Sequence, residues 1–337
     1  MSNGNIGISA KGRFGISVLD KNGKIKKEKS ISNTSNVVTY SGAYQALINS
    51  TSSLFGIYTA SMGTGTVEIT RSATGLGSRA SGSTGQTSAS RVGNEVDNLD
   101  GTSTLTLSRT LSFSLGSQVG TFSEVGVYTP FDGEVFIAGQ LIKDEFGNPT
   151  TITVLSDEQL VVTYILEWTV PNASQLIGTG SVTDADSNVY NYEVYSQPYF
   201  SNFAINDSYT VSRYFSALDD EVGFFAANGT TSLFNTGDVG GGFGSGTVVH
   251  DGAGTVTYTT QTITLSPAAG DFTDLVYLSF YTGNSDSAAD GGVANTTTNT
   301  ATSSNSSRYP LLIKFVDPIS KTSSQSFSIQ ASFTVTL

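Results

Sequence analysis

The sequence predicts an all-β protein made of two tandem antiparallel β-sandwich domains that arose by internal duplication, each with one short helix. Three observations predict this fold. Apolar and polar side chains alternate along many short segments that end at Gly, Asn, Asp or Pro, as in strands followed by turns. Helical signals are confined to two short stretches, and the two halves of the chain resemble each other.

The predicted strands are rich in Val, Ile, Thr, Tyr and Phe, which favour pleated, half-buried surfaces. They are Gly7–Leu19, Thr104–Leu115, Gly120–Tyr128, Ile152–Tyr164, Thr255–Leu265, Leu275–Tyr281 and Ser326–Leu337. Asn22-Gly23 predicts a two-residue hairpin turn, because both residues tolerate a positive φ. The predicted helices, 41–47 and 212–218, each begin at a serine that is a good N-cap residue. Both are too short to be stable without packing against a sheet.

The duplication is predicted from segments that align between the halves. Ser41 aligns with Ser212, Leu141–Lys143 with Leu312–Lys314, and Leu166 with Leu337, all at an offset of 171 residues. Phe122–Tyr128 also matches Phe272–Tyr277, and Ser17–Gly23 matches Ser181–Ser187, at other offsets. The offsets differ because each half has its own long loop, Gly/Ser-rich at 72–103 and of low complexity at 285–307. The predicted domains are 1–171 and 172–337, divided after Pro171.

Composition excludes several classes of function. The chain of 337 residues has 16 Lys and Arg against 28 Asp and Glu, a net charge of −12, which disfavours binding to nucleic acid. It has no Cys and one His, which removes disulfides, thiolate metal sites and the common zinc sites. The sequence shows neither an apolar run long enough for membrane insertion nor the features of a signal peptide.

Candidate chemistry is sparse, and we expect a non-enzymatic protein with no catalytic, cofactor-binding or metal-binding residues. Asp184–Asn188 has the first half of a calcium-loop spacing, but Val189 replaces the required Gly, so a hairpin turn is the favoured interpretation. Gly240–Gly246 lacks the spacing of a phosphate-binding loop. Acid pairs such as Glu124 and Asp132 carry no sign that their carboxyl groups approach each other.

Charge divides unevenly along the chain. Residues 1–175 have 12 basic and 14 acidic residues (−2), whereas residues 176–337 have 4 and 14 (−10). The first half also has a basic hairpin with five lysines between Lys21 and Lys29. One interpretation is that Lys26, Lys27 and Lys29 dock onto an acidic neighbour, such as the second half of another copy. The favoured interpretation is that the lysines protect an exposed sheet edge from association.

Three segments of the first half, in order, resemble a pattern found in virion proteins of tailed bacteriophages. The first is Met62-Gly-Thr-Gly-Thr66 followed by Thr74-Gly-Leu-Gly77, which looks like their GTGT turn and loop. The second is Phe122-Ser-Glu-Val-Gly-Val-Tyr128, which is similar to one of their strands. The third is Leu141–Val154 running into Glu158–Tyr164, which looks like their closing hairpin. The second half lacks the GTGT turn.

The resemblance implies a structural subunit of a virion, in the tail or a tail-associated fibre or collar, that is made in the host cytoplasm. Its expected partners are other copies of itself and other virion proteins, and it implies no catalytic residue. One alternative is an adhesin whose loops at 238–254 and 285–307 contact host-cell surface glycans, with Phe243 at a loop tip as the recognition residue. The other is a capsid decoration or head-fibre protein.

Overall fold

The structure is a computed structural model of the chain. It describes residues 4–7, 9–43, 59–80, 91–129, 135–171, 175–184, 186–196, 222–228, 243–244, 246–260, 263–265, 272–282, 294–295, 300–301, 308–321, 324–329 and 332–336. The described residues are mostly β-strands in antiparallel sheets, so the predicted all-β class is confirmed.

Eleven of the described strands lie in the first half of the chain. They are β1 Gly4–Gly7, β2 Ser9–Leu19, β3 Ile31–Val38, β4 Thr59–Gly63, β5 Arg91–Asp97, β6 Thr102–Ser112, β7 Gly120–Phe122, β8 Glu124–Thr129, β9 Val135–Leu141, β10 Ile152–Val154 and β11 Gln159–Pro171. One turn of 3-10 helix covers Lys27–Lys29. Eight of the strands form one antiparallel sheet in the order β4-β8-β9-β3-β2-β11-β6-β5, and β7 pairs with β10.

The core of this half follows from strict alternation on its two longest paired strands. Phe14, Ile16 and Val18 are buried on β2, while the residues between them are partly exposed. The same face of β11 buries a second row: Leu160, Val162, Tyr164, Leu166 and Trp168. The central strands β8 and β9 differ, because nearly every residue on both faces is buried. A further layer must therefore cover the face of β8 and β9 that would otherwise meet water.

The second half contains thirteen of the described strands. They are β12 Gln175–Thr183, β13 Val189–Ser196, β14 Val222–Asn228, β15 Phe243–Gly244, β16 Gly246–His250, β17 Thr255–Thr260, β18 Ile263–Leu265, β19 Phe272–Thr282, β20 Ala294–Asn295, β21 Thr300–Ala301, β22 Arg308–Lys321, β23 Phe327–Ile329 and β24 Ser332–Thr336. The sheet orders are β12-β13-β22-β19-β14-β15 and β1-β24-β17-β16, with the small pairs β18-β23 and β20-β21.

Strand pairings recur in the two halves in the same chain order. The run β4-β8-β9-β3-β2 has the same sequence of partners as β14-β19-β22-β13-β12. Likewise β5-β6-β11 matches β16-β17-β24, and β7-β10 matches β18-β23. Among the matched strands one pairing differs: β11 pairs with β2, whereas β24 pairs with β1 instead of β12. The pairs β14-β15 and β20-β21 have no counterpart among the described strands of the first half.

Two local predictions need correction. The first helical turn begins at Tyr40, because the side chain of Thr39, and not that of Ser41, accepts the hydrogen bond from the Gly42 amide at 3.0 Å. The Asn22-Gly23 turn has three residues between Asp20 and Lys24 instead of two, with Gly23 at φ +78°. Residues 44–47 of the first predicted helix and the whole of the second, 212–218, lie outside the described residues.

The predicted long loops also contain strands. The segment 72–103 includes β5 and the start of β6, because an edge strand needs only one hydrogen-bonded partner and so requires little apolar alternation. The segment 238–254 includes β15 and β16, and 285–307 includes the short pair β20-β21. The remainder of 285–307 lies outside the described residues.

Candidate functional site

A loop at 64–80 covers the outer face of β8 and β9 and is held there by the buried carboxylate of Glu124. Glu124 lies at the start of β8 and is fully buried. Its Oε1 accepts hydrogen bonds from the amides of Gly65 at 3.0 Å and Ser78 at 2.7 Å, and its Oε2 accepts one from Gly77 at 3.0 Å. We call this arrangement the Glu124 clamp. Backbone dipoles stabilise the charge, since amide donors are the strong partners of a buried carboxylate.

Two glycines allow the loop to approach the carboxylate. A Cβ on Gly65 would lie 2.5 Å from Oε2 of Glu124, and a Cβ on Gly63 would collide with Oε1. No side chain fits at these distances. Close contact with Glu124 therefore explains the two glycines of the Gly-Thr-Gly-Thr sequence.

Aromatic packing completes the clamp. Tyr128 accepts a hydrogen bond from the Leu76 amide at its hydroxyl, 3.1 Å away, and its ring lies 5.0 Å from that of Phe136. Ile69 is buried against these rings, and Ala73 and Leu76 pack beside it. The guanidinium of Arg79 lies 4.4 Å from the centre of the Tyr128 ring, a favourable cation–π distance.

The clamp joins two of the segments that the sequence singled out separately. Met62–Thr66 and Thr74–Gly77 supply the amides of Gly65, Leu76 and Gly77, and Phe122–Tyr128 supplies both Glu124 and Tyr128. The third segment follows at once, because the Ile142 amide donates to the carbonyl of Ser123 and Leu141 pairs with Glu124. The sequence signal that points to this contact is a glutamate within an otherwise apolar strand.

The predicted docking lysines lie at one end of the first half, around a second buried carboxylate. Lys26 and Lys29 both form ion pairs with Glu158, the latter at 2.9 Å, and the Glu158 carboxylate has no exposed surface. The Leu155 amide donates to the same carboxylate at 2.8 Å. Lys27 is exposed to solvent. Two of the three lysines therefore have an internal role in this structure, and docking stays a prediction.

The contacts around Glu158 determine its ionisation. Burial by itself would raise the pKa of Glu158, but the hydrogen bonds from Lys26, Lys29 and the Leu155 amide outweigh it and lower the pKa to about 2. The hydrogen bond to Glu158 also raises the pKa of Lys26. Glu158 and Lys26 are therefore both charged across the physiological pH range.

Exposed apolar side chains accompany these lysines. Ile25 precedes Lys26, Leu155 donates its amide to Glu158, and Leu115 precedes Gly116, whose amide donates to the Glu158 carbonyl. Each of these three side chains, and also Val119, is about half exposed. We call the surface formed by these side chains together with Lys26, Lys27 and Lys29 the basic end. Apolar groups rimmed by charges are typical of protein interaction surfaces.

Two other sequence predictions can be placed. Phe243 lies in β15, at the edge of a sheet, and its backbone pairs with Gly223 of β14, so it is not at a loop tip. The half-matching calcium loop is a hairpin turn, as expected: Oδ1 of Asp184 accepts the amides of Asp186 at 2.9 Å and Asn188 at 2.8 Å. Asp20 and Asp144 bond their own turns in the same way.

The described residues contain few other groups with a potential chemical role. No group of three or more acidic, His or Cys side chains in this part of the chain could hold a metal ion. None of its helices is long and apolar enough to cross a membrane. The chain matches no family model, no curated protein and no solved structure.

Proposed function

We propose that this chain is a non-enzymatic structural subunit of a tailed-bacteriophage virion, located in the tail or a tail-associated fibre or collar. The observation that carries the proposal is the Glu124 clamp. The segments on which the resemblance rests are far apart in sequence, yet they contact one another directly. This supports the view that the resemblance concerns one structural device and not three unrelated short matches.

The proposal includes the internal duplication into two β-sandwich domains. Its support is the recurrence of the strand pairings, including the pairs β3-β9 and β13-β22. The turns at Asp20 and Asp184, which the sequence aligned, also have the same hydrogen bonds. A subunit with two similar domains presents several surfaces on which symmetric assemblies can be built.

The basic end is the proposed surface for assembly. It combines the exposed Lys27 and the partly exposed Lys26 and Lys29 with half-exposed apolar side chains, whereas the second half of the chain has a net charge of −10. A local basic surface on the first half and the strongly acidic second half favour head-to-tail contact between copies, because complementary potentials speed encounter and fix orientation.

The test is immunogold labelling of intact virions from the producing lysate with an antibody against the recombinant chain. Label at the tail or its appendages supports the proposal. Label over the head shell replaces it with capsid decoration, and an absence of label on every particle overturns the virion assignment. A glycan-binding screen with the purified chain then tests the adhesin alternative.

A further inference from the structure

Strand β1 pairs with β24 at the position where the order of pairings in the first half would place β12. In the first half, β11 lies between β6 and β2. In the second half, β24 lies between β17 and β1, and β1 comes from the other end of the described chain. Among the described strands, β12 pairs only with β13, although it corresponds to β2 in the order of pairings.

The pairing of β1 differs in kind from its neighbours. It is parallel and four residues long, with Gly4 opposite Phe333 and Gly7 opposite Thr336, while all other pairings between described strands are antiparallel. Parallel pairing is slightly less stable per residue than antiparallel pairing. Only Ile8 separates β1 from β2, which belongs to the sheet of the first half. The strand therefore links the two halves through a short, weakly held pairing.

We propose that β1 pairs with β24 of a second copy of this chain when the protein assembles. The closed chain and the exchanged assembly contain the same backbone hydrogen bonds. The balance between them therefore depends on protein concentration and on the short connection between β1 and β2. An exchanged element of this kind is a low-cost route to association. The added strand supplies main-chain hydrogen bonds to an otherwise open sheet edge.

The geometry makes the exchange directional. The β1 strand of one copy and the β24 strand of the next are different surfaces, so the contact is head-to-tail. Such contacts close into rings where the rotation allows and otherwise continue as filaments. This inference deepens the proposed function, because it names the partner and the contact through which copies of the subunit assemble.

The absence of cysteine in the chain permits a direct test. Asn5 and Thr334 are paired Cα positions, and the spacing of neighbouring strands, about 4.8 Å, lies within the range that a disulfide requires. One sample of the full chain carries Asn5→Cys and a second, of different mass through a tag, carries Thr334→Cys. The two are mixed at low and high concentration, oxidised and separated without reductant.

Exchange between copies predicts a mixed disulfide dimer that increases at least several-fold in yield with concentration. The matched control pairs Thr334→Cys with Glu145→Cys, an exposed turn residue outside the basic hairpin that reports random collision. The double variant, with both cysteines in one chain, forms the internal disulfide at low concentration and verifies the β1–β24 register.

Two outcomes overturn the inference. One is a mixed dimer no more abundant than in the Glu145→Cys control while the double variant still closes internally. The other is a double variant that forms neither an internal nor an intermolecular disulfide, which would contradict the pairing of β1 with β24. Neither outcome bears on the immunogold result, so failure of the exchange and failure of the virion assignment are distinguishable.

Discussion

Glu124 and Glu158 are both fully buried in the first half of the chain, yet their charges are balanced in different ways. Glu124 accepts three backbone amides of the 64–80 loop. Glu158 accepts one amide and two lysine ammonium groups. Fixed dipoles therefore stabilise the first carboxylate, and mobile opposite charges that reach in from solvent stabilise the second.

The difference indicates what each carboxylate is for. Amides cannot turn away without moving the backbone, so the Glu124 clamp fixes a loop in one position. Lysine side chains can leave Glu158 by rotating, at the cost of an unpaired buried charge. We therefore expect the clamp to control local order and the Glu158 cluster to respond to pH and to partners.

The largest effect is expected for Glu124→Gln. It places an NH2 group against amide donors and leaves buried N–H groups unpaired, which lowers the free energy of unfolding by about 3 kcal/mol. Urea unfolding followed by the fluorescence of Trp168 measures this, since it is the single tryptophan and is buried in β11. Trypsin cleavage at Arg71 and Arg79 should rise in parallel.

The control for this variant is Glu145→Gln, a change of the same chemistry at an exposed turn residue. It should alter neither unfolding nor cleavage of the loop. Equal effects of the two substitutions would contradict the clamp.

A smaller effect, with a distinct pH dependence, is expected for Glu158→Gln. Loss of the buried ion pairs lowers the free energy of unfolding by about 2 kcal/mol at neutral pH. The pKa of Glu158 is lowered in the folded protein from 4.5 to about 2, so its contribution is present above pH 4.5 and is lost as the pH falls through 2. The variant should therefore differ from the parent above pH 4.5 and converge with it near pH 2.

Asp157→Asn is the matched control, because Asp157 is the exposed neighbour of Glu158. A gap between Glu158→Gln and the parent that stays constant from pH 7 to pH 2 would contradict the assigned ion pairs.

Tyr128→Phe tests the aromatic part of the clamp. It removes the acceptor of the Leu76 amide but keeps the ring against Phe136, so we expect a loss of about 1 kcal/mol. Urea unfolding measures it, and loop cleavage at Arg79 should rise less than in Glu124→Gln. A loss as large as that of Glu124→Gln would mean that the tyrosine, and not the carboxylate, holds the loop.

Lys27→Ala should have the smallest effect on stability, below about 0.5 kcal/mol, because the side chain is exposed. If the basic end contacts the acidic half of another copy, this variant should nevertheless weaken self-association at low salt. Sedimentation at two salt concentrations separates the outcomes. Unchanged association would leave docking to other residues of this surface.

Sequence periodicity predicted β2 and β11, whose two faces have different surroundings, and also β8, which is buried on both faces. Phe14, Ile16 and Val18 alternate with partly exposed residues, and a pattern of this kind is visible in the sequence. Strand β5 was missed because an edge strand with Val96 half exposed has no clear apolar face. Alternation of this kind reports contact with one core, so it weakens wherever a strand has two buried faces or none.

The candidate sites were harder to predict because their partners are distant in sequence. Lys29 and Glu158 are 129 residues apart, and Glu124 is 59 residues from Gly65. The motifs containing Glu124 and its loop were identified from the sequence, but their contact was not. A carboxylate in an apolar strand requires a partner, and local pattern cannot say which one.

The pairing of Gly4 with Phe333 also sets an order of events during synthesis. Strand β2 can close its sheet once β11 has left the ribosome, whereas β1 has no place to pair until β24 has been made. Pairings between distant segments form late, because the entropy of closing a long loop must be overcome first. Throughout translation β1 therefore stays available, and on a polysome the first completed β24 that it meets can belong to a neighbouring chain.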